Sequence, residues 1–127
     1  MTEARFLLDA NICIYLLGAL SEPARRRVES HAPGEVVTSA VAYAEVMYAL
    51  EKMGARAAEA EIFFDRIPVL PFDAGAALCY RHLPFERHRF DHLIAAHTLS
   101  LGLVLVTNNV RHFRRVPALR IDDWTLP

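Results

Sequence analysis

The chain has 127 residues, enough for one domain with a buried core, and a formal net charge of −1 excludes a global basic field of the kind that announces nucleic-acid binding. Apolar residues make up 54%, above the usual range for a soluble domain, so surface is expected to be committed to a partner as well as to the core. No apolar run reaches membrane-spanning length, and Met1-Thr2-Glu3-Ala4-Arg5 lacks the layout of a signal peptide.

Cys13 and Cys79 have no paired spacing and sit inside apolar helical patterns, which suits buried thiols in a reduced, cytoplasmic protein. Thirteen of the fourteen basic residues are arginine, Lys52 being the exception. Arginine is the better fork for phosphate and carboxylate.

In chain order, Arg5 to Asp9 reads as a strand, and Ala10 to Leu17 as a short helix ending near Gly18. Ser21-Glu22-Pro23 opens a second helix, with serine as cap and proline in the first turn, and Pro33-Gly34 closes it off. Glu35 to Thr38 is a second strand. Ser39 caps a long helix, Ala40 to Met53, whose Ala42, Val46, Ala49, Leu50 and Met53 form an apolar stripe at helical spacing. Glu45 falls within that stripe. Gly54 breaks the helix, and Ala55 to Arg66 completes an αα-hairpin.

Pro68 to Pro71 is a short strand bounded by prolines, and Asp73 caps a helix from Ala74 to Leu83. Pro84 to Arg89 is a basic loop, followed by a helix from Phe90 to Leu101 that ends at Gly102. Leu103 to Thr107 is apolar on both faces, as a central parallel strand should be. Asn108-Asn109 follow at its carboxyl end, Phe113 opens a short segment, and Leu119 to Ile121 reads as an edge strand. Strands alternating with helices predict an α/β domain over residues 1–127, with a parallel sheet covered on both faces.

Three carboxylates sit where a solvated surface does not explain them. Asp9 ends the first strand, Glu45 lies in the apolar stripe, and Asp91 opens a helix with Ile94, Ala95 and Thr98 on its own face. Each has a plain structural use: Asp9 and Asp91 as helix-terminus acids, Glu45 as half of an ion pair. Grouped together they would repel one another unless a cation neutralised them, and an all-oxygen set suits Mg2+ or Mn2+.

Leu7-Leu8-Asp9-Ala10-Asn11-Ile12, Thr38-Ser39-Ala40-Val41-Ala42-Tyr43-Ala44-Glu45-Val46, Asp91-His92-Leu93-Ile94-Ala95-Ala96-His97 and Leu105-Val106-Thr107-Asn108-Asn109 occur in that order. With Phe113, Val116-Pro117-Ala118-Leu119 and Asp122-Asp123-Trp124, they span essentially the whole chain and resemble the PIN-domain ribonucleases, most of all the VapC toxins of bacterial toxin–antitoxin pairs. The resemblance implies a three-layer α/β/α fold with a mostly parallel sheet, Mg2+- or Mn2+-dependent RNA cleavage leaving 5′-phosphate and 3′-hydroxyl ends, homodimerisation, and a small antitoxin that blocks the site. It implies that Asp9, Glu45 and Asp91 are the acidic catalytic and metal residues. Asn11 and Thr107 match the supporting polar positions, and Asn109 stands as an amide where many relatives carry a fourth acid. Arg87-His88-Arg89-Phe90 replaces a glycine-containing loop found in many relatives.

Arg87, His88 and Arg89 precede Asp91 directly and are expected to guide RNA phosphates at the rim of the site; a solvated charged loop is the alternative. Arg111, Arg114 and Arg115 carry the same two readings. A metal-independent histidine mechanism ranks low, because His97 lies in an apolar helix and neither His82 nor His88 is paired by spacing with a second histidine. Met47, Tyr48, Phe63 and Phe64 on the αα-hairpin could border a groove for an amphipathic antitoxin segment, with core packing as the alternative. Two other functions compete with the nuclease toxin: a catalytically weak RNA- or partner-binding module on the same fold, and a flap-type DNA nuclease. The absence of arch or DNA-binding segments disfavours the latter.

Overall fold

The first strand, β1 (Phe6–Leu8), is the centre of the sheet. It pairs in parallel with β2 (Val36–Ser39) on one side and β4 (Val104–Val106) on the other. The short β3 (Val69–Leu70) extends the sheet beyond β2, and β5 (Arg120–Asp122) extends it beyond β4, giving the order β3-β2-β1-β4-β5. The computed structural model describes residues 3–55, 57–84, 87 and 89–127. Among the described residues every strand pairing is parallel.

Parallel neighbours require crossovers, and helices supply them. α1 (Ala10–Leu17) and α2 (Glu22–Glu29) link β1 to β2; α3 (Ala40–Met53) and α4 (Ala57–Arg66) link β2 to β3. α5 (Ala74–Tyr80) and α6 (Arg89–Leu101) carry the chain back across to β4, and the four-residue α7 (Val110–Phe113) precedes β5. The result is the three-layer α/β/α arrangement that the alternating pattern predicts.

The core follows from the apolar strands. Leu7, Leu8, Val36, Val37, Leu105 and Val106 are buried between helix residues such as Ile12, Val46, Ile94 and Ala95, with Phe113 and Trp124 closing the far end. Trp124 is held by its ring N–H, which donates to Asp122 Oδ2 at 2.9 Å, and by stacking against His31. α2 keeps its arginines occupied: Arg25 pairs with Glu22 and Glu29, and Arg27 with Asp122 at 2.8 Å. These pairs hold Arg25 within α2 and tie Arg27 to β5.

Several expected boundaries move inward. α4 starts at Ala57 rather than Ala55, α5 stops at Tyr80 rather than Leu83, and the strand expected over Leu103–Thr107 is ladder-paired only over Val104–Val106. β3 shrinks to two residues because its flanking prolines have no N–H to donate, although Pro68 still accepts from the Thr38 N–H at 2.9 Å. α6 begins one residue early, at Arg89, which places Asp91 inside its first turn. Gly54 ends α3 in the left-handed region at φ 67°, where a glycine meets no side-chain penalty.

Candidate active site

The sheet order reverses at β1: the next strand in sequence lies on one side, while β4 and β5 lie on the other. A crevice forms outside the carboxyl ends at such a switch point. Extending the strand register by one residue aligns Ser39, Asp9, Thr107 and Asp123 in a row across that edge, because Leu8 faces Thr38 and Val106, and Val106 faces Asp122. The backbone continues the alignment, with the Asp9 N–H donating to Val106 O at 3.0 Å and the Thr107 N–H donating to Asp122 O at 3.1 Å.

Asp9 has the plain structural use read from the sequence. It caps α1, accepting from the Ile12 N–H at 2.9 Å, and it is buried at the switch point. Thr107, fully buried at the end of β4, hydrogen-bonds the Asp9 carboxylate and accepts from the Asn109 N–H at 2.9 Å. Burial pushes Asp9 up to about 6; the bonds from Thr107 and Ile12 oppose this, while the charges of Asp91 and Asp123 add to it.

Glu45 is reached from the next element. Ser39 caps α3 by accepting from the Val41 N–H at 3.1 Å, and its hydroxyl meets His97 Nδ1 at 2.8 Å, tying the start of α3 to α6. Ala42 and Val46 anchor α3 in the core, which leaves Glu45 half-buried at the cleft rather than inside the packed stripe. Burial pushes its carboxyl up to about 7, with Asp91 and then Asp9 adding to the shift. Glu45 Oε1 is buried and has no hydrogen-bond partner among the described residues.

Asp91 faces the same place from α6, whose His92, Ile94, Ala95 and Thr98 are buried. The Asp91 charge acts on both Asp9 and Glu45, so the three carboxylates share one electrostatic site. Among the described residues, no three His, Cys, Asp or Glu side chains are already gathered tightly enough to clasp a metal ion. The donor set nevertheless fits a hard divalent cation. Mg2+ takes one or two carboxylates and keeps several waters, and the orphaned Glu45 oxygen is the acceptor such a shell would satisfy.

The remaining candidates divide. A cleft of about 410 Å3 is lined by Glu45, Arg87, Arg89, Phe90 and Asp91, so both arginines border the acids. His88 lies outside the described residues. Asn11 is exposed in the first turn of α1, and Arg111, Arg114 and Arg115 are exposed around α7. Asn109 lies beside His112, with its side-chain Nδ2 3.2 Å from the ring Nδ1. Phe63 and Phe64 pack edge-on to one another and against the core, while Tyr48 borders an apolar groove of about 900 Å3 between α3 and α6. Glu45 and Phe90 line both spaces, so the apolar groove runs into the acidic cleft.

Sequence reasoning passed over two residues. Asp123 adds negative charge to Asp9 from the end of β5, and the signal was available: an acid just past a strand, as Asp9 is. His112 Nδ1 lies 2.7 Å from Asp91 Oδ2, a contact between residues 21 apart that spacing alone does not reveal.

Known proteins resemble this chain over most of its length. The PIN domain family model matches residues 6–119. A tRNA(fMet)-specific endonuclease VapC of Shigella flexneri is 39% identical over 95% of this chain and 98% of its own length. The protein of the same name in Salmonella typhimurium is 35% identical over 94% of this chain and 98% of its own. Among solved structures, DNA-bound VapBC of Salmonella typhimurium superposes with a TM-score of 0.84 at 33% identity, covering 95% of this chain and 98% of that one. VapBC2 of Rickettsia felis, bound to a promoter DNA fragment, gives 0.83 at 25% identity, covering 97% and 99%. With a domain match over nearly its whole length and VapC relatives this similar from end to end, the chain belongs to the PIN-domain family as one of its VapC-type members.

Proposed function

We propose that the chain is a divalent-cation-dependent endoribonuclease and the toxin of a toxin–antitoxin pair. The observation that carries this reading is the convergence of Asp9, Glu45 and Asp91 at the switch point, where two of the three are held above the ordinary carboxylate range by burial and by one another. Such a cluster is unfavourable by itself and becomes favourable around a cation. When bound, Mg2+ or Mn2+ would supply an acidified water and neutralise charge on the scissile phosphate. Asp9 and Asp91 would hold it. Glu45, poised near pH 7, would complete the shell or take a proton from the attacking water.

Arg87 and Arg89 sit where phosphates flanking the scissile bond would pass, and a guanidinium pairs with phosphate through two parallel donors. RNA is the substrate class in the names of the VapC relatives, and tRNA(fMet) is the first substrate to try. The proposed inhibitor is a small antitoxin, laying apolar side chains into the groove of Tyr48, Ala49, Phe90 and Leu93 and an arginine into the cleft beyond Glu45. Exposed Leu78, outside that groove, supplies apolar surface for a homodimer carrying that antitoxin.

The test is incubation of the purified chain with tRNA(fMet) and total RNA in Mg2+, in Mn2+ and in EDTA, with mapping of the new ends. The reading predicts cleavage only with the cations and 5′-phosphate products. Cleavage that persists in EDTA would remove the cation from the account. Tight RNA binding without cleavage in either cation would favour a binding module, the reading that Asn109 in place of an acid supports.

A further inference from the structure

From α7, His112 reaches one of the three carboxylates by a hydrogen bond, a contact that the proposed reaction does not use. Its ring is about one-third exposed and Asp91 about one-quarter, so the contact is partly shielded at the cleft wall. The 2.7 Å separation between Nδ1 and Asp91 Oδ2 is the length of a charge-assisted bond. A carboxylate can only accept, so the Nδ1 proton is donated to Asp91. Asn109 lies alongside the same ring atom, and its backbone N–H is held by Thr107, the residue that also bonds Asp9. Thr107 and Asn109 therefore lie between Asp9 and the His112–Asp91 pair.

We propose that His112 is a positioning residue that fixes the Asp91 carboxylate for cation binding. By occupying Oδ2 it turns the other oxygen, Oδ1, toward the shared acidic site and makes Asp91 a single-oxygen ligand. Outer partners of this kind orient metal-binding carboxylates, and their removal weakens metal affinity by about 10–100-fold. His112 itself touches neither substrate nor cation. The inference rests on the cation-dependent reading above and assigns to this chain's own α7 a role in it.

The experiment measures Mn2+ binding to the purified chain by electron paramagnetic resonance at fixed pH, for wild type, His112→Ala and His112→Asn, with melting in EDTA in parallel. Asparagine places an amide N–H where Nδ1 stands. The expected result is a loss of affinity of about 10–100-fold for His112→Ala, recovered in large part by His112→Asn, with all three proteins melting alike in EDTA. Equal affinity in wild type and His112→Ala would overturn the positioning role while leaving the cation site standing. Equal weakening in both variants would also overturn it, because the donated bond would then not be what matters. No Mn2+ binding by wild type would overturn the underlying reading as well.

Discussion

At the scale of single residues, Asp9 carries the account. A carboxyl raised to about 6 in the folded chain, against 3.8 in an unfolded one, binds its proton more tightly in the native state. Its contribution to stability is therefore favourable at low pH and is lost as pH rises through 6. The shift corresponds to a cost on the order of 3 kcal/mol at neutral pH without a cation. Asp9→Asn keeps an oxygen to cap α1 and removes the charge. In EDTA at pH 8 the variant is predicted to melt above wild type, with the gap closing between pH 6 and 4; a gap that widens on acidification would show that burial does not oppose the Asp9 charge. Glu45, only half-buried, moves in the same direction.

The elements place these residues, and small features at their ends do the placing. Ser39 holds α3 through the Val41 N–H and α6 through His97, whose own proton affinity is lowered by burial. Ser39→Ala is predicted to cost about 1–3 kcal/mol in urea unfolding, since it removes a cap and leaves a buried imidazole nitrogen unpartnered. Loss of less than about 0.5 kcal/mol would mean that water or a shifted ring replaces the bond. Ahead of β5, Ala118 occupies the left-handed region at φ 64°. Glycine adopts that region without penalty, so Ala118→Gly is predicted to raise stability by up to about 1 kcal/mol, despite its greater freedom when unfolded. A fall in stability would show that the alanine methyl contributes more through packing than it costs in strain.

At the scale of the whole molecule, a cation should act as a ligand of the native state. Mg2+ at about 100 times its dissociation constant would stabilise the fold by about 2.7 kcal/mol. Because protons compete for Asp9 and Glu45, the rise in melting temperature is predicted to be larger at pH 8 than at pH 5.5; an equal rise at both would place the cation elsewhere. The sequence made the fold and three of the acids legible for one reason. Asp9, Glu45 and Asp91 each break a local rule, being charged residues at a strand end or on an apolar helical face. His112 breaks none, and Asp123 follows a strand as Asp9 does, but one that reads as an edge. His112 reads as one more polar residue after Asn109, and only the return of α7 toward α6 sets it against Asp91. Asp123 reads as a surface acid until β5 is placed beside β4. The strand expected over Leu103–Thr107 is longer than β4 because its apolar run begins before the paired residues, at Leu103, while β5 keeps the expected length and sits one residue later than Leu119–Ile121.

The most direct test of the central claim is single-turnover RNA cleavage in Mg2+ at pH 8 by wild type, Asp9→Asn, Glu45→Gln and Asp91→Asn, with melting curves recorded on the same samples. The account predicts that each variant remains folded and loses at least about a hundredfold in rate, roughly 2.7 kcal/mol of transition-state stabilisation. A folded variant that cleaves at the wild-type rate would contradict it, because the three carboxylates would then not form one catalytic site.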